Sequence, residues 1–146
     1  MNRSEYTGAA GLRLLAEDLR ELPKTVRREV RPVMREAGQE ALREASVNAQ
    51  WSSRIPRAMK LTTSFVGRRA GVTITVDTSA APHARPFEGI IRPTFRHPVF
   101  ERAGRETPWV EQAARPYLLP AARATYRVIA ERVGEAVARA HAAHNL

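Results

Sequence analysis

The chain has 146 residues, of which 43% are hydrophobic and 27% charged, and this composition fits one globular domain with a substantial core. It contains no cysteine, which excludes a disulfide framework, a thiolate metal site and a cysteine nucleophile. The net charge is +9, and most of it lies in residues 51–116. A positive charge of this kind favours nucleic acid or an acidic protein as the partner.

The first third of the chain has the periodicity of helices. Four leucines at positions 12, 15, 19 and 22 share one helical face, and Pro23 ends that segment. Valines and alanines continue the pattern from Lys24 to about Gln50. Pro32 lies inside this second run and predicts a kink or break near Arg31. We therefore expect residues 1–52 to form a helical region.

The pattern changes to a period of two near residue 60. Val72, Ile74 and Val76 alternate with polar residues, as in a half-buried strand, and a Thr- and Val-rich run precedes them. The two runs predict a β-hairpin over residues 58–78 with Arg68 and Arg69 at its tip. These two arginines fit contact with an acidic protein surface or with phosphate, and a solvated hairpin tip is the alternative.

Residues 79–116 contain six prolines and little periodicity, which predicts an extended arm. Within it, the segments 98–100 and 109–112 could pair as short strands across Gly104. Apolar side chains without a local core favour an interface with another subunit or partner. The candidate interface residues are Phe87, Glu88, Ile90, Ile91, Phe95, Trp109, Tyr117 and Leu118.

A last helix is predicted over residues 117–142, starting near Leu118 or Pro120. Its apolar stripe should pack it on the sheet. The sequence thus predicts an α+β fold with N-terminal helices, a small antiparallel sheet, a long proline-rich arm and a C-terminal helix, all in a single domain.

No residue pattern indicates catalysis. His141 and His144 have a spacing that could share a metal, but no third ligand follows them. His83 and His97 lack a neighbouring nucleophile, and Glu88 is best explained as a structural or interface carboxylate paired with an arginine. We therefore expect no enzyme activity, no metal and no cofactor. No apolar run approaches the ~20 residues of a membrane span, and the N-terminus lacks the apolar stretch of a signal peptide.

Two short motifs, about thirty residues apart, resemble those of one family. His83-Ala84 is followed by Glu88-Gly89, and Arg115-Pro116-Tyr117-Leu118 is followed by Pro120-Ala121, which opens the last helix. In this order the elements resemble the tail-completion, or head–tail joining (neck), proteins of long-tailed bacteriophages.

The resemblance implies a structural virion protein, made in the host cytoplasm and located at the neck. It implies a homo-oligomeric ring, hexameric or alternatively dodecameric, that contacts head connector or stopper proteins and the tail tube protein. Genomic DNA would pass through the ring without sequence-specific binding, and no membrane would be involved. The alternative is a small basic DNA-binding protein that uses the hairpin and the basic middle segment.

Overall fold

The computed structural model describes residues 23–65, 71–99 and 108–144. The described elements confirm the predicted α+β class, with helices at both ends and antiparallel strands between them. The predicted helix around residues 12–22 and the arginine pair Arg68–Arg69 lie outside the described residues. In chain order the elements are α1 (Lys24–Asn48), α2 (Ile55–Ala58), β1 (Met59–Ser64), β2 (Gly71–Val76), α3 (Ala84–Glu88), β3 (Thr94–Pro98), β4 (Trp109–Ala113) and α4 (Leu118–His144).

Helices α1 and α4 form the main packing interface of the described chain. Small and β-branched side chains line this interface and allow the two helices to approach closely. One core cluster joins both helices to the end of β1, and its buried members are Val26, Val30, Met34, Phe65, Val133, Ala136 and Ala140. At its edge, Arg132 Nη1 donates a hydrogen bond to Glu40 Oε1 at 2.8 Å.

Helix α1 runs without interruption through Pro32, so the break predicted near Arg31 does not occur. Proline at this position removes the backbone hydrogen bond to the carbonyl of Arg28. Pro32 is exposed, so water can satisfy that carbonyl, and packing of the opposite face against α4 maintains the helix.

The C-terminal helix packs chiefly on α1 rather than on a sheet as predicted. The β1–β2 hairpin instead packs on another face of α1, with strand register from Met59↔Val76 to Ser64↔Gly71. Gly38 makes this contact possible, because a Cβ at that position would collide with a γ-methyl group of Val72 and lie 3.0 Å from Leu61 Cδ1.

Residues 79–116 are more structured than the predicted extended arm. They contain α3 and a second antiparallel pair, β3–β4, in which Pro98 lies opposite Trp109. Pairing around residues 98 and 109 was predicted, but the strand β3 begins earlier, at Thr94. Ala81 and Ala84 are buried in a second core cluster with Ile55 and Tyr117, so this part of the segment belongs to the domain's own fold. The strands thus form two separate two-stranded sheets.

Candidate functional site

The carboxylate of Glu88 caps the N-terminus of α4 from 29 residues upstream. Glu88 Oε2 accepts hydrogen bonds from the backbone N–H groups of Tyr117 at 3.0 Å and Leu118 at 2.9 Å, and Oε1 accepts one from Leu119 at 2.7 Å. These amides have no partner within the helix, and the negative charge also lies at the positive end of the helix dipole. Pro120, the next residue, has no N–H group to satisfy. This one side chain therefore accepts hydrogen bonds from all three of these backbone N–H groups at the start of α4.

Tyr117 forms the second connection between the same two segments. It is 1% exposed, and its hydroxyl donates a hydrogen bond to the carbonyl of Ala84 at 3.0 Å. Burial raises the pKa of Tyr117 to about 12, and the negative charge of Glu88 contributes to the rise. The backbone N–H of Arg115 donates to the carbonyl of Phe87 at 2.8 Å. The segments 83–89 and 115–121 therefore meet as one unit, which we call the junction.

The junction changes the roles expected for three predicted interface residues. Glu88 is 6% exposed and binds backbone amides, whereas an arginine partner or an interface position was expected. Tyr117 lies in the core, and Leu118 is half-buried against the same cluster. These side chains are covered by the domain itself, because the α3 segment folds back onto the start of α4.

An aromatic row connects the junction to the β3–β4 hairpin. The ring centroids of Trp51 and Phe87 are 4.4 Å apart, and those of Phe87 and Phe95 are 4.8 Å apart in an edge-on arrangement. The guanidinium of Arg115 lies 5.7 Å from the Trp51 ring, within the range of a cation–π contact. Phe87 and Phe95 are therefore half-buried anchors of the hairpin, and each keeps part of its surface accessible.

Three of the predicted interface residues are exposed. Ile90 and Ile91 are 76% and 74% exposed just after α3, and Trp109 is 59% exposed at the far end of the hairpin. Among the described residues, β3 and β4 pair only with each other, so the outer edge of each strand has no further strand beside it there. A two-stranded sheet of this kind is marginally stable by itself, and open edges can accept a further strand.

Sequence reasoning missed two features that now define candidate sites. One is the Glu88 cap. The residues just before α4, Arg115-Pro116-Tyr117, include no Ser, Thr, Asp or Asn, and this lack of a local capping residue could have indicated a cap from elsewhere in the chain. The other is a line of basic residues on α1, visible in sequence as Lys24, Arg28, Arg31 and Arg35 at helical spacing.

Within the part of the chain that the structure describes, no group of three or more His, Asp or Glu side chains could hold a metal ion. No helix among these residues is long and apolar enough to cross a membrane. The pKa of Asp77 is lowered because its carboxylate accepts hydrogen bonds from the hydroxyl and backbone N–H of Ser79, a local turn contact.

No protein-family model, curated protein or solved structure matches this chain. Its function therefore has to be inferred from its own residues and their arrangement.

Proposed function

We propose that this chain is a structural protein of a tailed bacteriophage that forms a ring at the neck and joins the tail to the head connector. The observation that carries the proposal is the junction. The two motifs on which the family resemblance rests, one ending in Glu88-Gly89 and the other containing Tyr117-Leu118, bind each other directly. A shared structural role explains why both motifs occur in one chain at this separation.

The exposed apolar residues support assembly into a ring. A ring forms when two different surfaces of one subunit make a heterologous contact that closes. Ile90 and Ile91 lie beside the base of the β3–β4 hairpin, and Trp109 lies at its other end. The strand between these ends spans roughly 14 Å, so one subunit offers two separate apolar groups. In the ring, Ile90 and Ile91 would contact a neighbouring copy, and the remaining surfaces would meet connector or stopper proteins and the tail tube.

The proposal is tested by complementing a phage that lacks this gene with an Ile90→Asp/Ile91→Asp variant. Charged residues at a buried contact are costly, so heads and tails should form but fail to join. The matched control is Val47→Asp/Val128→Asp, which places two carboxylates at exposed valines of α1 and α4. Circular dichroism should show that both purified variants are folded.

Electron microscopy then counts joined particles for both variants. We expect separate filled heads and tails with the isoleucine variant and a near-normal yield of joined virions with the control. Normal joining by the isoleucine variant would contradict the assigned contact, and normal joining without the gene would contradict a neck function altogether.

A further inference from the structure

A groove runs along the seam between α1 and the strand β1. At one end is a cavity of about 330 Å³ lined by Lys24, Arg27, Arg28, Arg31 and Phe65. All of its lining side chains except that of Phe65 are cationic. The cavity is therefore a concentrated positive site on a protein that already carries +9.

The seam continues one helical turn further along α1. A second cavity of about 400 Å³ is lined there by Arg35, Gln39 and Leu42 of α1 and by Leu61 and Thr63 of β1. Thr63 is two residues from Phe65, so the wall formed by the strand is continuous. We call the two cavities together the seam groove.

The charges of α1 are sorted between its two sides. Glu40 pairs with Arg132 of α4, and Glu36 also acts on Arg132, whose pKa is raised first by the hydrogen bond and charge of Glu40. Glu36 and Glu40 thus act on the α4 side of the helix. Among the described residues, the carboxylate that forms an ion pair with a cation lining the groove is that of Glu29, whose Oε1 is 4.0 Å from Arg28 Nε. Both side chains are well exposed, so this pair neutralises little of the groove's charge.

Two of the arginines are held in place by Phe65. The guanidinium of Arg31 lies 5.3 Å from the centre of the Phe65 ring, and Arg27 Nη1 donates a hydrogen bond to the Phe65 carbonyl at 3.4 Å. The Nε group of Arg27 is shielded from solvent and has no hydrogen-bond partner among the described residues. The planar guanidinium groups of Arg27 and Arg31 have a geometry that suits phosphate oxygens.

The spacing of the cations fits a regular polyanion. Positions 24, 28, 31 and 35 recur at helical intervals and lie along one side of α1. At the rise of an α-helix they span roughly 17 Å, over which one strand of duplex DNA presents about five phosphates.

We propose that the seam groove binds the phosphodiester backbone of DNA through charge, without reading base sequence. Within the proposed neck, this face of the subunit would be the one that meets the genome, and that step rests on the proposed function. Binding of DNA by the isolated protein does not rest on it, since it depends on the groove alone.

The test is fluorescence anisotropy of the full chain with two unrelated duplexes of about 20 base pairs, titrated at several salt concentrations. The groove variant is Arg28→Gln/Arg35→Gln. The control is Arg123→Gln/Arg127→Gln, which removes the same charge from exposed positions on α4. At physiological salt, charges more than ~8 Å apart in solvent are largely screened, so the two variants are distinguishable.

We expect the groove variant to weaken binding to both duplexes at least tenfold and to reduce the salt slope by about two. The control should change affinity less than about threefold at physiological salt. An Arg28→Lys/Arg35→Lys variant keeps the charge and should retain the salt slope of the unmodified protein.

Three results would overturn the proposal. Equal losses in the groove variant and the control would show that only net charge matters. A strong preference for one duplex would show base readout. Displacement of DNA by polyglutamate of equal charge, with equal potency, would show that the groove does not prefer phosphates to carboxylates. In none of these cases would the neck proposal itself be decided, because joining of heads and tails is measured separately.

Discussion

Removal of the Glu88 carboxylate should destabilise the whole domain. Glu88→Ala leaves the backbone N–H groups of Tyr117, Leu118 and Leu119 without their acceptor at a largely buried site. Loss of a helix cap costs up to about 2 kcal/mol, and a buried N–H left unsatisfied adds about 1–3 kcal/mol. We therefore expect a loss of about 3–4 kcal/mol, a large part of the total stability of an ordinary domain.

Glu88→Gln provides an intermediate case. Its amide oxygen can replace Oε2 and keep the bonds from Tyr117 and Leu118, while its NH2 group faces the N–H of Leu119. One hydrogen bond and the interaction between the charge and the helix dipole are lost, so we expect a cost of about 2 kcal/mol.

The measurement is urea unfolding followed by circular dichroism, with Glu131→Ala and Glu131→Gln as controls. Glu131 is an exposed carboxylate on the same helix, so its removal should cost no more than about 0.5 kcal/mol. Glu88→Ala should lower the urea midpoint by roughly 1–2 M without a large change in slope. A midpoint for Glu88→Ala equal to that of Glu131→Ala would refute the capping role of Glu88.

Two further predictions concern close packing and proton linkage. Gly38→Ala should destabilise the protein by about 1–3 kcal/mol because the new methyl group collides with Val72. Gly134→Ala, at a position with open space, should stabilise it by about 0.5–1 kcal/mol. Thermal unfolding compares the two variants, and stabilisation by Gly38→Ala would show that the helix–hairpin contact is looser than described. Because the pKa of Tyr117 is raised to about 12, the unfolded chain loses this proton first, so the stability contributed by Tyr117 is complete below about pH 10 and declines as pH rises towards 12. Tyr117→Phe should lower the free energy of unfolding by about 1 kcal/mol at neutral pH, because the Ala84 carbonyl loses its hydrogen-bond donor. Between about pH 9 and 11.5, the urea midpoint of this variant should decline less than that of the unmodified protein. An equal decline in both proteins would show that other groups cause the loss of stability at high pH.

Local periodicity accounts for the elements that the sequence predicts well. The apolar spacing that includes Val26 and Val30 requires a buried helical face, and the alternation around Ile74 requires a strand. Both patterns depend on residues within a few positions of each other. For this reason the two long helices and the first hairpin lie close to their predicted bounds.

The features that sequence reasoning missed depend on contacts between distant residues. Glu88 has the composition of a surface residue, and its burial follows only from the approach of α4. The packing of Val72 against Gly38 cannot be read from either segment alone. The seam groove likewise forms only where the strand β1 packs against α1. Helix α3 was missed because its five residues, which include Pro86, are too few to display a period.

The most direct test of the proposed neck function is electron microscopy of purified tailed-phage virions that contain this chain, with density assigned by chain tracing. We expect a closed ring of copies at the head–tail junction, with the packed helices α1 and α4 and the Glu88 cap recognisable in each subunit. We also expect the seam groove to face the DNA. Virions in which the neck density is fully explained by other chains would contradict the assignment.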